Sequence, residues 1–324
     1  SGSAALRCAE NETSRHPARH TQIRDTMASA KGSQMNAERG TETILITGAS
    51  DGLGRAAALL LAERGYRVFA AGRSAEKRAQ LDTLAKEKRL PLETLEMDVS
   101  DDRSVERAVA VVHQKTGQID VLINNAGLAY FATVEDMNME DWRRQFETNF
   151  FGVVRVTRAA LGKMRERRSG RIIMISSVSG LVTPPAQGAY SASKHAMEGL
   201  SNALRHELYP FRVKTILIEP GYIVTNIQQT AVELAQPYQE KIQKGAYAKV
   251  YRGCWAGANR SRAKSKTTPE DCARVILRAI EAPKPKARYA VTPLTTAIQW
   301  AKRLLPDSAL DALIRRRYGV KREE

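Results

Sequence analysis

The sequence predicts an α/β fold: a doubly wound parallel sheet with helices on both faces, in a single domain. Three observations carry this. Short apolar runs alternate with longer amphipathic stretches from Thr43 to Ile218. A glycine-rich turn, Thr47-Gly48-Ala49-Ser50-Asp51-Gly52-Leu53-Gly54, joins the first run to the first amphipathic stretch. No linker composition interrupts that span. Apolar strands separated by helices suit a sheet buried on both faces, because each crossover lays a helix against it.

Strands are expected at residues 43–47, 67–71, 92–97, 121–123, 171–175 and 214–218. Helices are expected over 53–64, 75–88, 105–116, 139–167 and 191–209. After Pro220-Gly221 the pattern loosens, and residues 222–266 mix Gln, Tyr, Gly and Lys, as a mobile substrate lid would. Thr267-Thr268-Pro269-Glu270-Asp271 opens a helix. It has a threonine cap, proline in the first turn, and acids against the positive end of the helix dipole. That helix should stop at Pro283 and Pro285, ahead of a last strand over 288–291. Two amphipathic helices, near 295–304 and 307–317, close the chain. The expected organisation is an arm over 1–40, a doubly wound α/β domain over 41–292 and a helical extension over 293–324.

Composition narrows the function classes. Of 324 residues, 43% are hydrophobic and 27% charged, which is globular. The net charge of +16 is uneven: 212–324 hold 22 basic and 10 acidic residues, whereas 41–211 hold 23 and 21. The excess is therefore not a property of the whole fold. Aromatics are only 6%, and no base-stacking module or recognition helix appears, which argues against a nucleic-acid partner. Cys8, Cys254 and Cys272 lack any Cys-x-x-Cys pair, which points to reduced thiols in the cytoplasm. No metal site is expected, since His195 and His206 have no partner set. The polar arm has no apolar core segment, so it should be disordered and not a secretory signal; Ser1-Gly2-Ser3 reads as a cloning scar.

The glycine turn is the first chemical signal. Between a strand and a helix, such a turn presents backbone N–H groups and the helix dipole to a pyrophosphate. The spacing is Gly-x-x-x-Gly-x-Gly, through Gly48, Gly52 and Gly54, with Ser50, Asp51 and Leu53 between them. The second strand ends Ala71-Gly72-Arg73, where an acid would bind the ribose 2′-OH of NAD. The acid is missing, and Arg73 can pair with a 2′-phosphate, so NADP(H) is expected ahead of NAD(H). Asp51 argues the other way, since it would repel that phosphate.

Further motifs follow successive strands: Asn124-Asn125-Ala126-Gly127, Thr148-Asn149-Phe150-Phe151-Gly152, Ser176-Ser177, Tyr190-Ser191-Ala192-Ser193-Lys194 and Pro220-Gly221-Tyr222-Ile223-Val224-Thr225. In this order and placement they resemble the short-chain dehydrogenase/reductase family over about residues 41–225. The run Ala279-Ile280-Glu281-Ala282-Pro283-Lys284-Pro285-Lys286-Ala287-Arg288-Tyr289 resembles, more loosely, the branch of 17β-hydroxysteroid and retinol dehydrogenases.

The resemblance implies a catalytic set of Asn149, Ser177, Tyr190 and Lys194. Tyr190 and Lys194 are four apart on a helix, so both side chains meet on one face. An ammonium beside the phenol would lower its pKa and let Tyr190 exchange a proton with a ketone or alcohol. Ser177 would hydrogen-bond the reacting oxygen; Ser176 and Ser179 are its competitors. Asn149 would bend its helix and hold a water linking Lys194 to solvent. Lys194 should also meet the nicotinamide ribose, and Thr225 and the Ile223 backbone the carboxamide. Pro220 and Gly221 should flank that contact, Asp98 and Val99 the adenine, and Asn125, Ala126 and Gly127 should line the cofactor.

The expected activity is hydride transfer between NADP(H) and a carbonyl or alcohol of a lipophilic substrate of steroid, retinoid or long-chain-ketone type. The alternatives are a non-catalytic NADP-binding sensor and a 3-oxoacyl-thioester reductase. The family implies a homodimer or homotetramer, paired through the helices near 139–167 and 191–209. Ile298, Trp300, Leu304 and Leu305 are expected to pack over the substrate cleft; the alternative, with Lys302, Arg303 and Arg315-Arg316-Arg317 beside them, is contact with an anionic membrane surface.

Overall fold

The structure is a computed structural model that describes residues 42–322; the arm over 1–40 and Cys8 lie outside them. Seven strands form one sheet in the order β3-β2-β1-β4-β5-β6-β7, with every pairing parallel. They are β1 (Thr43–Thr47), β2 (Arg67–Gly72), β3 (Leu92–Glu96), β4 (Val121–Asn124), β5 (Arg171–Ile175), β6 (Lys214–Glu219) and β7 (Arg288–Ala290). The first helices are α1 (Gly52–Glu63), α2 (Ala75–Glu87) and α3 (Asp102–Thr116).

Alternation along the strands builds two cores. Ile44 and Ile46 join Leu61 of α1 on one face, with Cys272 and Ile276 from α10 (Pro269–Glu281). Leu45 and Phe69 point to the other face. There they meet Val109 of α3, Val156 of α5 (Gly152–Arg167) and Met197 of α6 (Gly188–Glu207). Central strands buried on both faces explain their unbroken apolar character.

Two segments depart from expectation. The helix expected over 139–167 is α4 (Met139–Phe146) and α5, joined by a π-helical turn over Glu147–Phe151. The expected lid is helical: α7 (Asn226–Leu234), α8 (Gln239–Lys244) and α9 (Ala248–Lys264). Its tyrosines are tied to carboxylates on the segment after β4. Tyr238 donates to Asp141, Tyr251 to Asp136 at 2.8 Å, and Tyr247 to Glu135 at 2.7 Å.

The extension consists of α11 (Pro293–Leu304) and α12 (Asp307–Tyr318). Tyr318 lies on α9, where a Cβ at Gly257 would come within 2.6 Å of its ring. Arg317 Nη2 donates to Ser261 Oγ of α9 at 2.7 Å. Among the described residues, no helix is long and apolar enough to cross a membrane.

Candidate active site

All seven strands end on one edge of the sheet, and the strand order reverses between β1 and β4, which opens a crevice there. The glycine turn borders it. Gly48 has φ +63°, and a Cβ on it would lie 2.8 Å from Ala126 Cα, so glycine alone lets the turn lie against the chain after β4. Asn125 clamps the two together. Its Nδ2 donates to the carbonyls of Thr47 and Gly48, at 2.9 Å each. Thr47 Oγ1 accepts from the backbone N–H groups of Asn125 and Ala126, at 3.0 Å each. The Asn125 side chain, expected to line a cofactor, is thus spent on shaping the turn. A Cβ on Gly54 would overlap Asn125 and the Gly48 carbonyl. The result is a cradle of bare backbone at the start of α1, which fits a pyrophosphate.

Charges around the cradle decide the 2′-phosphate question more finely than the sequence does. Asp51 caps α1 by accepting from Gly52 N at 2.7 Å. Asn226 Nδ2 also donates to it, at 2.8 and 2.9 Å, and Lys77 forms an ion pair with it. Burial pushes the Asp51 carboxyl up, but the bonds from Lys77, Asn226 and Gly52 outweigh it and hold the group below the usual carboxylate range. Its negative charge is therefore neutralised by Lys77. Arg73 stands at the end of β2 with its side chain 60% exposed and Nη1 3.8 Å from Asp98 Oδ2. Arg78 Nη1 donates to the carbonyls of Gly72 and Arg73, at 2.8 Å each. Three cations thus gather at the end of β2, where the sequence pointed to one.

Ser177, Tyr190 and Lys194 come together beyond β5. The Ser177 hydroxyl lies close enough to the Tyr190 phenol to favour its ionised form, and its Oγ accepts from Ser179 N at 3.1 Å. Ser176 turns away and donates to Glu198, while Ser179 Oγ points to Gln187 Oε1 at 3.5 Å. Ser177 is therefore the serine beside Tyr190. Lys194 is buried, with Nζ 5.7 Å from the centre of the Tyr190 ring and donating to the Ile175 carbonyl at 2.8 Å. Burial pulls the Lys194 ammonium down to about 8, against the nearby Glu198 carboxylate. Burial pushes the Tyr190 phenol up, and the Ser177 bond opposes it. The expected lowering of Tyr190 by Lys194 is not what the structure gives, because burial wins. Tyr190 is held as a protonated phenol, the form that can donate to a carbonyl oxygen.

Asn149 is fully buried in the π-helical turn. Its Oδ1 accepts from Leu128 N at 2.9 Å, and its Nδ2 donates to Leu128 O at 3.0 Å. Nδ2 also reaches Ser193 Oγ at 3.3 Å, and Ser193 Oγ donates to the Tyr190 carbonyl at 2.7 Å. Asn149 thereby ties the chain after β4 to the turn of α6 that carries Tyr190.

The segment after β6 closes the crevice. Pro220 O accepts from Val178 N at 2.8 Å. Gly221 is packed so tightly on Thr292 that a Cβ would overlap it, and a Cβ on Gly52 would sit 3.6 Å from the Thr225 side chain. The Ile223 carbonyl accepts from Gln228 Nε2 at 2.8 Å, and Thr225 caps α7. Val99 packs on Gly152, and Gly127 on Asn149. A cavity of about 540 Å³ lies between the loops after β4 and β5 and helix α9. Val134, Pro184, Pro185, Ala186, Tyr247 and Val250 line it, and it reaches Gly188, two residues before Tyr190. Among the described residues, no group of three or more His, Cys, Asp or Glu is placed to hold a metal ion.

Sequence reasoning missed Thr47, Lys77, Ser193 and Asn226, since each acts through a partner distant in sequence. It also missed Glu198, although its spacing of four from Lys194 was a readable signal.

Comparison with known proteins agrees with this fold. A family model described as short chain dehydrogenase matches residues 42–235. The NADPH-dependent 3-dehydrocapnine reductase of Ornithobacterium rhinotracheale is 34% identical over 277 residues, 83% of this chain and 94% of that protein. Retinol dehydrogenase 8 of Bos taurus is 32% identical over 273 residues, 83% of this chain and 87% of that protein. The crystal structure of a short-chain dehydrogenase from Streptomyces avermitilis matches with a TM-score of 0.66 and 30% identity, over 84% of this chain and 95% of that one.

Proposed function

The chain belongs to the short-chain dehydrogenase family and is an oxidoreductase, and on that premise we propose that it reduces a carbonyl of a lipophilic substrate with NADPH. The observation that carries this reading is the assembly of the Ser177 hydroxyl, a protonated Tyr190 phenol and the buried Lys194 ammonium at one strand end. When bound, the nicotinamide supplies the hydride. Ser177 holds the carbonyl oxygen, and Tyr190 gives it a proton. Lys194 stabilises the phenolate that remains, and Asn149 fixes the turn carrying Tyr190. The backbone cradle at Gly48, Gly52 and Gly54 would hold the pyrophosphate, and Pro220, Gly221, Ile223 and Thr225 would bind the nicotinamide end.

Arg73 and Lys77 support NADP(H) over NAD(H), and one relative is named for NADPH dependence. The apolar cavity lining supports a steroid-, retinoid- or long-chain-ketone-like substrate over a polar one. Exposed Phe151 and Tyr209 lie on the faces expected to pair in a homodimer or homotetramer. Trp300, 57% exposed, and Leu304, 74% exposed, lie beside Arg303 on α11, which supports contact with an anionic lipid surface. Lys302 Nζ donates to the Leu181 carbonyl at 2.7 Å, so that surface adjoins the Ser177 loop.

The test is a screen of NADPH oxidation over ketones and aldehydes of graded size, with NADH in parallel. The reading predicts turnover that rises with apolar bulk and prefers NADPH. A preference for NADH would overturn the roles given to Arg73 and Lys77. Cofactor binding without turnover of any carbonyl, including 3-oxoacyl thioesters, would favour a sensor.

A further inference from the structure

A chain of buried charges runs from Lys194 to the last strand and the C-terminal extension. Glu198 follows Lys194 by one turn of α6, so the two share a face. Its carboxyl is buried, hydrogen-bonded on one oxygen and ion-paired on the other, which receives no hydrogen bond among the described residues. Ser176, adjacent to Ser177, donates to Oε1, and Arg288 Nη2 of β7 lies 2.8 Å from Oε2. The register pairs Arg288 with Leu217, which puts it on the same sheet face as Glu219. Arg288 Nε lies 3.5 Å from Glu219 Oε1, and its Nη2 also donates to Asn202 Oδ1 at 3.3 Å. Glu219 is fully buried, and Gln299 of α11 donates to its second oxygen. Lys194, Glu198, Arg288 and Glu219 thus alternate in sign. A Cβ on Gly180 would lie 2.8 Å from Ser176 Oγ and 3.3 Å from Glu198, so the turn after Ser177 closes directly over the pair.

Stability does not account for this arrangement. Burying ions loses hydration that their attraction only partly restores, and apolar side chains would pack as well. The placement does account for it, since one end lies one helical turn from Lys194 on the same face, and a side branch meets Ser176, the residue between Ile175, which binds Lys194, and Ser177. We propose that Glu198, charge-balanced by Arg288, is a positioning residue: its carboxylate keeps Lys194 an ammonium, and its bond from Ser176 orients the loop carrying Ser177. The last strand therefore acts on proton transfer without touching substrate. This rests on the roles given above to Tyr190 and Lys194.

The groups facing Lys194 are Tyr190 and Glu198 from its own helix and the Ile175 carbonyl from β5. Behind Glu198 stand Arg288 and Glu219, and Gln299 donates to Glu219 from α11. Burial alone favours a neutral amine and a neutral acid, whereas the field between the two favours both as ions. Without the Glu198 charge, the Lys194 ammonium loses its facing anion and gives up its proton at lower pH.

The experiment titrates Lys194 by NMR in the full chain with ¹³C-labelled lysine, identifying the signal by its loss in Lys194→Met. In Glu198→Gln, proton affinity at Lys194 should fall about tenfold relative to wild type. Arg288→Met should fall in the same direction, because Glu198 without its cation takes up a proton. Arg288→Lys should stay near wild type. In reduction assays the alkaline limb of kcat should move with the NMR midpoint, while KM for the cofactor holds. An unchanged Lys194 midpoint in folded Glu198→Gln would overturn the proposal. Should that variant not fold, an unchanged midpoint in Arg288→Met overturns it equally. The titration needs no substrate, so a wild type inert to every carbonyl would sink the reductase reading and leave this result standing.

Discussion

At Tyr190 burial holds the phenol protonated, with Ser177 pulling the other way, and at Glu198 burial pushes the carboxyl up to about 7 from its ordinary 4.5. The second shift has a consequence for stability. A group whose folded pKa is raised contributes stability that is whole below its unfolded value and is lost as pH rises through its folded value. For Glu198 that window runs from about 4.5 to about 7. Lys194, drawn down to about 8 from 10.5, contributes stability that is present above 10.5 and lost as pH falls through 8. Thermal melts across pH 4.5–7 should show a decline that Glu198→Gln flattens; an equal decline in both proteins would refute the assignment. Arg73 gives a second prediction at this scale. Arg73→Ala should weaken NADPH binding about tenfold, the loss of one charge-assisted contact, and leave NADH unchanged. Fluorescence titration with both cofactors checks it.

Among the elements, the π-helical turn shows what periodicity cannot display. Residues 139–167 read as one amphipathic helix, because an extra backbone residue in one turn leaves the apolar stripe nearly intact. Asn149 owes its burial and its aim at Leu128 to that turn. Asn149→Ala strands the buried N–H of Leu128, whose carbonyl keeps its bond from Gln145, and should cost about 1–3 kcal/mol in chemical unfolding. The lid was illegible for a different reason. Its buried positions include Tyr238, Ile242, Tyr251 and Cys254, and tyrosines bonded to carboxylates look like solvent-facing residues in a sequence. The packing of α12 on α9 also has a direct test. Gly257→Val would drive a side chain into the Tyr318 ring, so hydrogen-exchange protection should fall over residues 307–318 while β1, β4 and β5 keep theirs. Unchanged protection would mean that α12 does not depend on that groove.

Across the whole molecule, the parallel sheet and its two covered faces were readable in the sequence because central parallel strands announce themselves as unbroken apolar runs, Ile44-Leu45-Ile46 above all. The serine, tyrosine and lysine at the strand ends were readable through their spacing. Glu198, Glu219 and Arg288 were not, since the sheet order alone brings β7 beside β6. The charge of +16 becomes narrower in the fold. Arg288 of the basic last third is spent inside the protein, and Arg303 lies over Trp300 on an exposed apolar face. Binding to anionic vesicles should therefore weaken with salt and with Trp300→Ala, read by co-sedimentation. The central claim is proton donation by Tyr190 in an NADPH-dependent reduction. It is tested most directly by comparing wild type with Tyr190→Phe on one long-chain ketone, with NADPH affinity measured alongside. The account predicts unchanged affinity and a kcat lower by about 10²-fold or more. Reduction by the variant at the wild-type rate would contradict it.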